Sequence, residues 1–92
     1  MTRLSDDEIE QRLADRERWE RSGDAIVKRF DNGDFKGSVD FVTRLTPEAE
    51  EMNHHPDLEI SWKTVTVTVT THSEGGLTEG DFELARRIDA LA

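Results

Sequence analysis

The sequence predicts an α+β fold in which helices pack on one face of a four-stranded antiparallel sheet, in the order α-β-β-α-β-β-α. Three observations predict it. Valine and threonine alternate without a break over residues 64–70, the period of two that marks a half-buried strand. Helix-start residues stand ahead of apolar stripes with helical spacing, Ser5 before Ile9 and Leu13, and Thr78 before Phe82, Leu84, Ala85, Ile88 and Leu91. Turn-forming clusters at 22–24, 31–34 and 75–76 cut the chain between these runs. The chain has 92 residues, enough for one domain spanning 1–92 and too few for two independent cores.

The elements follow in order. Ser5 with Glu8 three places later is a capping-box pattern, so a thinly amphipathic helix is expected over 5–17, with Trp19 packing its end onto the body. A turn at 22–24 leads into a strand over 25–30. Asp31-Asn32-Gly33-Asp34 is a strong turn signal, because Asn-Gly accepts the positive φ of a hairpin; segment 35–37 is then the short partner strand. Ser38 is a candidate N-cap for a helix carrying Val39, Phe41, Val42 and Leu45. Pro47 either kinks that helix or starts a fresh one over 47–52. Pro56 disfavours helical geometry at His55, so the helix ends near Asn53 or His54. Leu58, Ile60 and Trp62 alternate as a strand. Apolar residues then switch from even to odd positions, which places a break between Trp62 and Val65 and a hairpin there. If pairing stays regular, His72 ends the last strand on its threonine face. Asp81 takes the third position of the last helix, where a carboxylate suits exposed amides and the helix dipole.

Composition narrows the function. A formal net charge of −9 argues against nucleic acid or an anionic membrane as the main partner. Acids are abundant and lysine is scarce beside arginine, a pattern of salt-adapted or simply acidic soluble proteins. With no cysteine there is no disulfide, thiolate nucleophile or cysteine-ligated metal. The first ten residues are too polar for a secretory signal, and no apolar run nears the roughly twenty residues that cross a bilayer. A cytoplasmic protein is expected.

All three histidines fall within about twenty positions, His54, His55 and His72. Imidazole exchanges protons near neutrality, with an unperturbed pKa of about 6.5. Glu50 lies four residues before His54, so on a continuous helix the two touch and the carboxylate orients the ring. Two imidazoles on separate elements can address opposite ends of one small molecule as acid and base. A histidine-carboxylate metal site is the competing chemistry, although adjacent histidines rarely hold one ion. Asp81 reads first as a helix-start stabiliser, and Trp62 as a core residue.

The spacing Glu50, His54-His55-Pro56, Trp62, His72, Asp81 resembles the signature of the pterin-4a-carbinolamine dehydratase family. Trp19, Phe30, Phe35, Thr71-His72-Ser73 and Gly76-Leu77-Thr78 extend the likeness over nearly the whole chain. The resemblance implies loss of water from a 4a-hydroxytetrahydropterin to give a quinonoid dihydropterin, with no metal or redox cofactor. It also implies helices on one side of a four-stranded sheet, and homodimers or homotetramers. Its active-site histidines match His54, His55 and His72, and its adjacent carboxylate matches Glu50. Its substrate-contacting segments match His54, His55 and Pro56, and Thr71, His72, Ser73 and Glu74. Thr46-Pro47 interrupts what is normally an unbroken helix, and Leu58 stands where many members carry an aromatic. The resemblance leaves two other roles, a non-catalytic dimerisation or protein-binding module and a place in a molybdopterin-related cofactor pathway.

Overall fold

Capping decides where the chain turns helical. The computed structural model describes residues 2–92, and its first helix, α1 (Asp6–Ala14), starts where Ser5 and Glu8 form the expected capping box. Two strands follow, β1 (Glu20–Ser22) and β2 (Ala25–Asp31), then α2 (Phe35–Met52), β3 (Asp57–Ser61), β4 (Thr64–Val69), a 3₁₀ turn (His72–Glu74) and α3 (Glu79–Asp89). The strands form one antiparallel sheet in the order β1-β2-β4-β3.

The predicted element order holds, but the first hairpin lies elsewhere. Segment 35–37 is not a strand. Gly33 does take a positive φ of 85°, yet Asp34 accepts the Gly37 N–H at 2.6 Å and caps α2 instead. The partner of β2 is β1, whose three polar residues are all exposed and carry no apolar alternation. Ser38 is therefore interior rather than a cap. It is fully buried, and its hydroxyl donates to the Trp62 carbonyl at 2.8 Å.

Pro47 sits inside α2, which runs on without a fresh start. The proline, like Thr43 and Thr46, lies on the exposed side, where water can reach carbonyls that lose an amide partner. Thr43 and Thr46 also donate their hydroxyls to the Val39 and Val42 carbonyls. The helix ends at Met52, as expected from Pro56.

The expected break after Trp62 is present. β3 and β4 form a hairpin through Trp62 and Lys63, with Trp62 at a φ of 50°. This turn puts Leu58 opposite Val67 and Ile60 opposite Val65, so both parities share one face. Trp62 itself is 66% exposed, so it is not a core residue.

Val65, Val67 and Val69 are fully buried beneath α2 and α3, together with Ile26, Phe41, Leu45, Leu84 and Ile88, and Phe30 is buried in the same cluster. Trp19 closes one end, with its ring edge-on to Phe30 and its indole N–H donated to Asp89. Lys28 and Arg16 share that carboxylate, which offsets an acid in the last turn of α3. The other face of the sheet carries Thr64, Thr66, Thr68 and Arg29, polar and uncovered by helices. No helix among the described residues is long and apolar enough to cross a membrane.

Candidate functional site

The candidate site forms where three chain reversals meet, after α2, after β4 and at the start of α3. Asn53 ends α2 in the left-handed region at φ 49°, ψ 44°. The His54 N–H still reaches the Ala49 carbonyl at 3.0 Å, and Pro56 then forces extended backbone. This reversal takes His54 off the helical track on which Glu50 would have met it.

The expected Glu50–His54 contact is therefore replaced by two others. His55 Nε2 lies 2.5 Å from Glu50 Oε2, with both side chains more than half exposed. His54 Nε2 lies 2.6 Å from Asp81 Oδ1, with the ring only 14% exposed and the carboxylate fully buried. Sequence reasoning undervalued Asp81. Its helix-start role is real, since the Thr78 N–H donates to Oδ2 at 2.9 Å within a capping box. The same oxygen accepts the Thr71 hydroxyl at 2.8 Å. The available signal was the pairing of Thr78 with an acid three places on, one of whose oxygens remains for another donor.

Asp81 thus ties together the loop after α2, the end of β4 and the start of α3. A buried carboxylate is costly unless its lone pairs are satisfied. Here three donors meet it, and the positive end of α3 adds to them. A carboxylate only accepts, so Nε2 of His54 carries a hydrogen toward Asp81, and Nδ1 is the ring nitrogen not engaged with that carboxylate. Thr71 donates to Asp81, so the 2.9 Å contact between the two threonine hydroxyls runs from Thr78 to Thr71. No buried side-chain polar atom among the described residues lacks a partner.

His72 does not end a strand, because β4 stops at Val69. It opens the exposed 3₁₀ turn with Ser73 and Glu74, directly after buried Thr71. Only one peptide link therefore separates His72 from the residue that grips the carboxylate of His54. Glu74 and Gly76 both donate backbone N–H groups to the Thr71 carbonyl, closing the turn on itself. Pro56 and His55 line a cleft of about 190 Å³ with Leu45, Thr46, Ala49, Glu50 and Leu58. A roomier hollow of about 390 Å³ lies beside Arg3, Ser5 and Arg21 and gathers no imidazole; of the three histidines only His55 lines the smaller cleft, and His54 and His72 line neither. Among the described residues, no three histidine or carboxylate side chains converge as metal ligands.

A family profile described as "Pterin 4 alpha carbinolamine dehydratase" matches residues 2–91. A relative from Roseiflexus sp. (strain RS-1) is 48% identical over 90 residues, 98% of this chain and 97% of its own. One from Thermosynechococcus vestitus is 49% identical over 90 residues, 98% of this chain and 95% of its own. Both carry the name pterin-4-alpha-carbinolamine dehydratase in provisional form. A crystal structure of a "transcriptional coactivator/pterin dehydratase" from Brucella melitensis is similar over 99% of both chains, with a TM-score of 0.94 and 33% identity. A pterin dehydratase-like protein described as a RuBisCO assembly factor in the alpha-carboxysome aligns over 82% of this chain and 87% of its own, with a TM-score of 0.67 and 28% identity.

Proposed function

The chain belongs to the pterin 4 alpha carbinolamine dehydratase family, and we propose that it removes water from a 4a-hydroxytetrahydropterin by histidine proton transfer. The product is a quinonoid dihydropterin. The N5 lone pair drives the reaction: the C4a–O bond breaks, a C4a–N5 double bond forms, and oxygen leaves as water. One group takes the N5 proton and another gives a proton to the departing oxygen. Substrate and product differ by one water, so no electrons are gained or lost.

The observation that carries this reading is the His54–Asp81 pair at 2.6 Å. Asp81 holds the hydrogen on Nε2 and stabilises the imidazolium that forms when Nδ1 is protonated. His54 therefore exchanges its proton with substrate through Nδ1. His72 supplies the complementary acid or base from the neighbouring turn. A positioned group of this kind contributes about 10²–10⁴-fold. His55, held by Glu50, and Pro56 bind the ring. Backbone groups of Thr71, Ser73 and Glu74 hydrogen-bond its flat amide edge.

The same reading makes the protein a cytoplasmic homodimer or homotetramer. Leu58 and Ile60, each more than a third exposed, lie on β3 at an open sheet edge beside exposed Trp62, which favours association. Those side chains, with exposed Phe35 and Val39, also favour a second reading as a protein-binding module.

Stopped-flow decay of a 4a-hydroxytetrahydropterin tests the proposal. We expect acceleration by the protein and a fall in kcat of about 10²-fold or more for His72→Ala, with pterin binding largely kept. No acceleration by the wild-type chain would remove the enzymatic reading. A cellular phenotype that survived replacement of both His54 and His72 would select the protein-binding one.

A further inference from the structure

We propose that Arg3 is a positioning residue for the turn that carries His72, acting on its closing glycines. The proposal rests on the dehydratase reading for its kinetic consequence, though not for its structural one. Two contacts among the described residues fasten the turn over 71–76 to the body. At one end the Thr71 hydroxyl is bound to Asp81, which also holds His54. At its other end the turn meets the segment before α1. The Leu4 N–H donates to the Leu77 carbonyl at 2.8 Å, and Leu4 packs against the core. This sets Arg3 over the two glycines that close the turn.

The contact there is close. The Arg3 guanidinium lies 3.5 Å from the Gly75 carbonyl oxygen, at the outer limit of a hydrogen bond. Its aliphatic stem rests on Gly76: a Cβ at that position would come within 2.6 Å of Cδ and 3.1 Å of Cγ of Arg3. A glycine is needed at position 76 for the stem to lie so near. Gly75 takes a positive φ of 68°, which a side chain would resist. Two successive glycines give the turn many conformations to lose, and its backbone–backbone hydrogen bonds are short-range: Glu74 N–H to Thr71, Gly75 N–H to His72, Gly76 N–H to Thr71. The arginine stem restricts that freedom with a long-range contact. It touches no reacting group and acts through the placement of His72.

The test is a pair of double-mutant cycles, read by turnover and by amide hydrogen exchange of residues 72–76. Arg3→Ala is expected to lower kcat about three- to ten-fold, since small displacements of a catalytic group reduce rate steeply. In a His72→Ala background the same change should cost nothing further. Gly76→Ala should speed exchange in the turn when Arg3 is present and have little effect once Arg3 is alanine, because the nearest atoms it meets are those of Arg3. Equal losses from Arg3→Ala with and without His72, or unchanged exchange in the turn, would overturn the proposal. If the wild-type chain shows no turnover the dehydratase reading fails, and the exchange cycle alone still decides whether Arg3 holds the turn.

Discussion

Two histidines side by side in the chain sit in unlike surroundings. His54 is largely buried against a carboxylate that no solvent reaches, while His55 meets Glu50 at the surface with both partners more than half exposed. The separations are almost equal, 2.6 and 2.5 Å, so distance does not distinguish them. Surroundings do. In water a pair of this kind is screened and adds little, whereas one removed from solvent is strong and fixes geometry. Asp81 is itself held by Thr71 and Thr78, so His54 has one available orientation. His55 and Glu50 can part at small cost, which suits a group that closes on a ligand.

The sharpest way to break this contrast is to neutralise each carboxylate in turn. In Asp81→Asn the amide nitrogen can turn toward His54 and reverse its tautomer, and kcat is expected to fall about 10²–10⁴-fold. Glu50→Gln should change kcat less than about three-fold, acting mainly on KM. Stopped-flow turnover of both variants decides the matter, and equal losses would erase the distinction between the pairs.

A smaller effect is expected in stability. His54→Ala leaves a buried acceptor short of a donor and should cost about 1–3 kcal/mol in urea unfolding, while His55→Ala should be near neutral. The weakest effect belongs to a third carboxylate, at the surface. Glu83 is lowered to about 2 by hydrogen bonds from Arg86 and Arg87. A carboxylate depressed on folding stabilises above its unfolded value and loses that contribution as pH falls toward 2. Glu83→Gln should therefore shift the urea midpoint slightly at pH 7 and less at pH 2, the shift being small because the side chain is 38% exposed.

What could be read from the sequence depended on whether a residue's partner was near it in the chain. The valine-threonine strand, the Ser5–Glu8 box and the parity switch at Trp62 are local patterns, and the structure has all three. β1 was illegible because Glu20, Arg21 and Ser22 pair through backbone alone and bury nothing. At 31–34 two local signals competed, and the cap supplied by Asp34 prevailed over the Asn-Gly hairpin. Pro47 was readable as a disturbance but not as one tolerated on a wet helix face. In the site, the left-handed Asn53 exchanged the carboxylate partner of His54 from one four residues away to one twenty-seven residues away. No helical-spacing rule crosses that reversal.

The dual use of Asp81 has a consequence for comparing such chains. One of its oxygens secures the first turn of a helix that any copy of this fold must build. A chain of this fold that served as scaffold without turnover would still be under pressure to keep that acid. Its presence in another chain is thus poor testimony of catalysis, and the imidazole it grips is the better witness.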